Sequence, residues 1–238
     1  MTVVSEKIRF EVDISRVIEV LAKQIYQSPL ALLRENTQNA FDAILLRKHL
    51  GHEFAPRIEI TLNPNEVQIR DNGIGMSKAD LRNHFWHAGS SSKNTPEAQA
   101  AGVVGTFGIG AMANFGVASE LIVVTESALS GERTRSRALR GTLSATEECI
   151  ELVPEKPTGN PGTVVTAKVM PGREINVGQA RQYIVITSLF PSPIRTCEMG
   201  RLVVSYDPRC PLMRRDPHGP CSLPAPVAGW HRTLPASH

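Results

Sequence analysis

The chain has 238 residues, a formal net charge of +3, and 41% hydrophobic and 21% charged residues. That length can bury a sizeable core, the composition is ordinary for a globular protein, and the mild, dispersed positive charge makes nucleic acid an unlikely partner by charge alone. No apolar run reaches the ~18 residues of a spanning helix, and MTVVSEKIRFEVD has neither a signal core nor a cleavage site, so no membrane association and a cytoplasmic setting are expected. The cysteines (Cys149, Cys197, Cys210, Cys221) show neither CxxC nor zinc spacing and read as reduced, structural thiols.

In chain order, residues 7–13 alternate as a short strand, and Val17, Ile18, Leu21 and Ile25 recur at helical spacing between Ser15 and Gln27. Ser28-Pro29 reads as an N-cap with proline at the first position of a second helix, running from Pro29 to Arg47. Residues 57–62 (RIEITL) and 66–71 (EVQIRD) are alternating strands joined by Asn63-Pro64-Asn65. Asp71 ends the second strand, Asn72-Gly73-Ile74-Gly75-Met76 turns out of it, and Ser77 is placed to cap a helix reaching about Ala88. Residues 89–101 are small and polar and read as a mobile loop. Gly105, Gly108 and Gly110 then lead into a small-residue helix. Strands are expected at 120–126, near 134–144 and at 162–169, followed by a helix from Val177 to about Leu189 and two last short strands in PIRTC and RLVVSY. Beyond Tyr206 the chain is proline-dense and aperiodic, with little regular structure expected. The organisation predicted is one domain over 1–206 and an irregular tail over 207–238. Its class is α/β, a two-layer sandwich of a mixed, largely antiparallel sheet with helices on one face.

The second helix organises the rest. At about 3.6 residues per turn, Glu35, Asn39 and Asp42 fall within roughly 60° of one another, with Leu30, Leu33, Ala40, Phe41 and Ile44 opposite. A plain solvated face explains that pattern as well as a functional one does. Three further pieces follow it: D-x-G-x-G-M at 71–76, G-x-F-G-I-G at 105–110, and Gly162-Thr163 opening a late strand. The glycine loop has the wrong spacing for a dinucleotide fingerprint and no lysine for a Walker loop. His84 and His87 stand at i, i+3 without other ligands beside them and read as structural.

Together, E-x-x-x-N-A-x-D-A (35–43), the aspartate turn, the glycine loop and Gly162-Thr163 resemble the ATP-binding domain shared by DNA gyrase, ninety-kilodalton heat-shock chaperones, histidine kinases and mismatch-repair ATPases. The chaperone branch is the most similar: LRE-x-x-x-NA-x-DA follows a FEVDI-like strand, an amphipathic helix and a Tyr-x-Ser break. The chain departs from it in the polar Asn36-Thr37-Gln38 and around Thr95-Pro96.

The resemblance implies ATP or ADP with Mg2+ as ligand and Asn39 as the one direct protein ligand of the metal. Glu35 would be the catalytic base for the attacking water, with Asp42 supporting Asn39 and nearby waters. Asp71 would accept the adenine amine while Gly73 and Gly75 let the backbone approach the base, beside Met76. Thr163 would join the adenine-side water network, with a plain strand threonine as its rival reading. Gly105, Phe107, Gly108, Ile109 and Gly110 would hold the phosphates through free backbone N–H groups. Lys93 would be the lid lysine. The activity implied is slow hydrolysis by the nucleotide-binding part of a protein-folding chaperone, with client proteins and a homodimer formed through domains that follow it. A DNA-acting ATPase of the gyrase or mismatch-repair kind, or a nucleotide sensor that hydrolyses little, are the alternatives. A sensor kinase would need a phosphoacceptor helix pair before Glu35, which the 34 preceding residues do not show. On this reading the chain is an N-terminal fragment or truncated product lacking the domain that supplies a γ-phosphate contact.

Overall fold

The computed structural model describes residues 13–24, 30–87, 110–187, 194–196 and 201–205. Helix α1 (Ile14–Gln24) and helix α2 (Ala31–His49) come first. Strands β1 (Arg57–Asn63) and β2 (Glu66–Asp71) then form a hairpin, and a short α3 (Lys78–Asp80) runs into one π-helical turn (Leu81–Phe85). After α4 (Gly110–Asn114) come β3 (Ala118–Glu126), β4 (Arg133–Leu139), β5 (Ile150–Glu155) and β6 (Gly162–Val169). Helix α5 (Val177–Thr187), β7 (Ile194–Thr196) and β8 (Arg201–Ser205) complete the elements.

The strands make one eight-stranded sheet in the order β5-β4-β3-β6-β2-β1-β8-β7, antiparallel at every pairing. Period-two alternation decides which side chains meet the helices. On β1, Ile58, Ile60 and Leu62 are buried, and on β2 Val67, Ile69 and Asp71 are. The Asn63 Oδ1 accepts the Asn65 N–H at 3.0 Å, an Asx turn that fixes the hairpin register. Two clusters form the core. Leu33, Ala40 and Ile44 of α2 and Ala180 and Ile184 of α5 pack on β1 and β2. Ile18, Leu81 and Phe115 pack on Leu121, Val123 and Ala138 of β3 and β4.

The elements follow the sequence expectation, with local differences. Helix α2 starts at Ala31 with Leu30 in the cap position and no side-chain cap bond; Ser28 and Pro29 lie outside the described residues, as do residues 7–12 of the expected first strand and the whole 207–238 tail. Ser77 does cap α3, in a reciprocal box with Asp80, but the helix ends by Phe85 rather than Ala88. Trp86 stops it there, donating its indole N–H to the buried Ser136 Oγ at 3.0 Å. Strand β5 has no counterpart in the sequence reading, because Pro154 and its charges disguise it; an edge position tolerates proline. No helix among the described residues is long and apolar enough to cross a membrane.

Candidate functional site

Sheet order builds the site. Because β6 inserts between β2 and β3, register places Asp71 opposite Thr163 and Thr163 opposite Thr125. All three are buried, at 8%, 7% and 1% exposure, on the helix-covered face. The Asp71 Oδ1 accepts the Gly73 N–H at 2.8 Å. Burial pushes the Asp71 carboxyl up to about 7, while the backbone N–H groups of Gly73 and Thr163 and the Arg47 charge pull it back.

Thr125 is the hub of this row. Its Oγ1 accepts the Met76 N–H at 2.9 Å, lies 3.2 Å from the Gly162 carbonyl and 3.0 Å from the Thr163 hydroxyl. A hydroxyl has one proton. With that of Thr125 on the Gly162 carbonyl, Thr163 donates to Thr125 and keeps acceptor lone pairs for another partner.

The motif glycines are places where backbone meets backbone. A Cβ on Gly73 would stand 2.6 Å from Ala43 of α2, and one on Gly75, at φ +64°, 1.9 Å from the Glu126 carbonyl oxygen. The Ile74 N–H donates to the Ala43 carbonyl at 3.0 Å, so the aspartate turn is docked directly on α2. Ala43 lies one helical turn after Asn39.

On α2, Glu35 and Asn39 are half-buried, whereas Asp42 is 2% exposed and accepts the Gln38 amide at 2.8 Å. The Glu35 Oε1 takes the Arg34 guanidinium at 2.9 Å. Asn36, between them in sequence, is buried and donates to the Asn114 Oδ1 of α4 at 2.6 Å and to the Leu32 carbonyl at 2.8 Å. The helix is therefore buried over more than one apolar side, with its polar residues meeting α4 as well as the site.

The fold thus joins Asp71, Gly73, Gly75, Met76 and Thr163 in one corner and docks that corner on the helix of Glu35, Asn39 and Asp42. Gly110 opens α4, which meets α2 through Asn114. Lys93, Gly105, Phe107, Gly108 and Ile109 lie outside the described residues. Sequence reasoning passed over Thr125, whose signal was a threonine ending the apolar run ELIVV. It passed over Arg47 as well, one of three basic residues in the last turn of α2.

Among the described residues no group of three or more His, Cys, Asp and Glu could hold a metal ion. An ion held by one amide oxygen, phosphate oxygens and water is the arrangement that donor set fits, and magnesium keeps several waters. A cavity of about 460 Å³ is lined by Arg57, Arg70, Arg133 and Val164 from the other face of the sheet and by Asp71 and Thr163 at the strand ends. No α2 residue lines it, but Asp71 and Thr163 do, so it meets the site at the strand ends.

The profile of the histidine kinase-, DNA gyrase B- and HSP90-like ATPases matches residues 28–166, more than half of the chain. Among curated proteins the chain is 34% identical over 151 residues to the chaperone protein HtpG of Ehrlichia ruminantium, covering 55% of this chain and 23% of that protein. It is 29% identical over 180 residues to HtpG of Mesorhizobium japonicum, covering 66% and 28%, and 28% identical over 195 residues to HtpG of Mycobacterium leprae, covering 70% and 28%. The chain spans about a quarter of the length of these relatives, from 23% to 28%. By the profile, and by the site residues that profile spans, this chain is a member of the histidine kinase-, DNA gyrase B- and HSP90-like ATPase family.

Proposed function

We propose that this chain binds ATP with Mg2+ and hydrolyses it slowly, as the nucleotide-binding part of a chaperone-like protein that assists protein folding. The buried row Asp71–Thr163–Thr125, closed onto Ala43 of α2 through Gly73, carries the reading. In that row the Asp71 carboxyl accepts the exocyclic amine of adenine, and Thr163 offers lone pairs to a water beside the base. Gly73 and Gly75 keep the wall of the site at backbone distance. Asn39 supplies the amide oxygen for the metal and Asp42 steadies the α2 face beneath it. Magnesium bound with the nucleotide would neutralise charge on the phosphates. Glu35 orients and deprotonates the attacking water. Gly105 to Gly110 hold the phosphates through backbone N–H groups, and Lys93 closes over them with the lid. Client proteins, and a second copy joined through domains that follow this one, are the partners this reading brings.

A second reading rests on Arg34. Its guanidinium holds the Glu35 carboxylate at 2.9 Å and competes with water for the same oxygen. That favours a nucleotide-binding module with little turnover until the pair opens.

Calorimetric titration of ATP and ADP with magnesium into wild type and Asp71→Asn tests the site. Wild type binds in the micromolar range and the variant does not bind. Equal affinity in the two removes Asp71 from the adenine contact.

A further inference from the structure

Arg47 is held by partners unlike those of an ordinary helix-end arginine. Its Nη1 donates to the Asn72 carbonyl at 2.7 Å, inside the aspartate turn. Its guanidinium lies 4.3 Å from the centroid of the Phe54 ring. Phe54 belongs to the segment that also holds Asn72 from the other side. The Asn72 Oδ1 accepts the Arg57 N–H and its Nδ2 donates to the Ala55 carbonyl, both at 2.8 Å. One face of the turn is therefore fixed by Arg47, stacked and bonded, and the other by the chain entering β1. The Arg47 Nε is buried with no hydrogen-bond partner among the described residues, a cost that a merely solvated arginine does not bear.

The electrostatic surroundings of Asp71 single out the same residue. Of the strands beside it, β1 sets Ile58 opposite and β6 sets Thr163. By strand alternation Arg57, Glu59 and Arg70 belong to the other face of the sheet, and so do Glu126 and Arg133, which pair there. On α2, Asp42 is engaged by Gln38. Arg57, Arg70 and Arg133 line a cavity that Asp71 also lines, but among the described residues the Arg47 guanidinium is the charge that acts on the Asp71 carboxyl, more weakly than burial and the backbone N–H groups do.

We propose that Arg47 is a positioning residue for nucleotide: it clamps the Asp71-Asn72-Gly73 turn and supplies the positive charge that keeps the Asp71 carboxylate ready to accept the base amine. This rests on the assignment of Asp71 to the adenine contact. An ionised carboxylate is the stronger acceptor, so removing the charge at Arg47 weakens binding most where Asp71 would otherwise be partly protonated, and least at high pH.

The test is ATP affinity, with magnesium, of the whole chain from pH 6 to pH 9 for wild type, Arg47→Gln and Arg47→Lys. A neighbouring charge is worth up to about one pH unit on a carboxyl that titrates near 7, so Arg47→Gln should bind up to about fivefold more weakly at pH 7 and approach wild type by pH 9. Arg47→Lys keeps the charge and loses the stacked fork; its midpoint stays with wild type while affinity falls by a similar small factor at every pH. A loss in Arg47→Gln that is the same at all pH, or no loss, overturns the proposal. Titration of the Asp71 carboxyl by carbon NMR in the nucleotide-free chain separates the two failures. An unmoved titration in Arg47→Gln overturns the role of Arg47 even if wild type binds ATP. A wild type that binds no ATP at any pH overturns the adenine assignment itself, and with it the nucleotide role given to Arg47.

Discussion

At the strand end of the site, proposed to take the base, Asp71, Thr163 and Thr125 are held in register by three adjacent strands, and the neighbouring glycines leave no room even for a methyl group. At the α2 end, proposed to meet the phosphates, Glu35 keeps 29% of its side chain exposed and leans on Arg34. One end is set by backbone pairing and the other by side chains on a helix face. Backbone pairing is cooperative and stiff, whereas exposed ion pairs contribute ~0–1 kcal/mol. The strand end is therefore preformed, and on the proposed reading the α2 end is where nucleotide would rearrange the chain.

The harshest way to break this contrast is a methyl group at the tightest contact. Gly75→Ala asks an L-residue to hold φ +64° and puts its Cβ 1.9 Å from the Glu126 carbonyl oxygen. Left-handed backbone costs roughly 1–2 kcal/mol and overpacking ~1–3 more, so urea melts should show a loss of about 3 kcal/mol or greater. Unchanged stability would show that the turn is not pressed on Glu126 at all.

Glu35→Ala attacks the other end. It should fold and bind ATP as wild type does, while single-turnover hydrolysis falls by roughly a hundredfold or more, the size of a general-base contribution. Retained turnover would take the base role from Glu35.

The buried carboxyl gives the contrast a pH signature. The pKa of Asp71 stands at about 7 in the folded chain against 3.8 ordinarily, so the native state holds this proton more tightly than the unfolded one does. Its contribution is then fully present below about 3.8 and is lost as pH rises through about 7. Asp71→Asn has no proton to lose. The difference in melting temperature between Asp71→Asn and wild type should grow in favour of the variant from about pH 4 to pH 7 and flatten above. A difference that is flat across this window would place Asp71 in contact with water.

How much of this was legible follows the same division. The hairpin, Asp71 at its end and the 162–169 strand stand in the sequence because strand alternation and turn chemistry are local. The pairing of Asp71 with Thr163 is not local, since it depends on β6 inserting between β2 and β3. For that reason Thr163 keeps a plain strand threonine as a serious rival reading from sequence, and Thr125 escapes notice. Asn36 and Asn114, 78 positions apart, look like polar blemishes on apolar helices until the fold puts them together. Arg47 belongs to a basic last turn that helix electrostatics alone explains.

That asparagine pair offers the finest test. Asn36 and Asn114, 3% and 0% exposed, tie α2 to α4 and so brace the helix that carries Glu35. Asn36→Leu removes the donor to the Asn114 Oδ1 and should cost about 1–3 kcal/mol, the usual penalty for upsetting a buried polar partner. Asn114→Leu should cost a similar amount. Replacing both partners by apolar groups of like shape removes the polar demand on each side, so the double variant should be less destabilised than the two losses summed, with a coupling of about 1 kcal/mol. Urea melts of the four proteins measure it. Losses that add to within roughly 0.5 kcal/mol would mean the two amides do not act as a pair, and the helix of Glu35 would then owe nothing to this polar contact with α4.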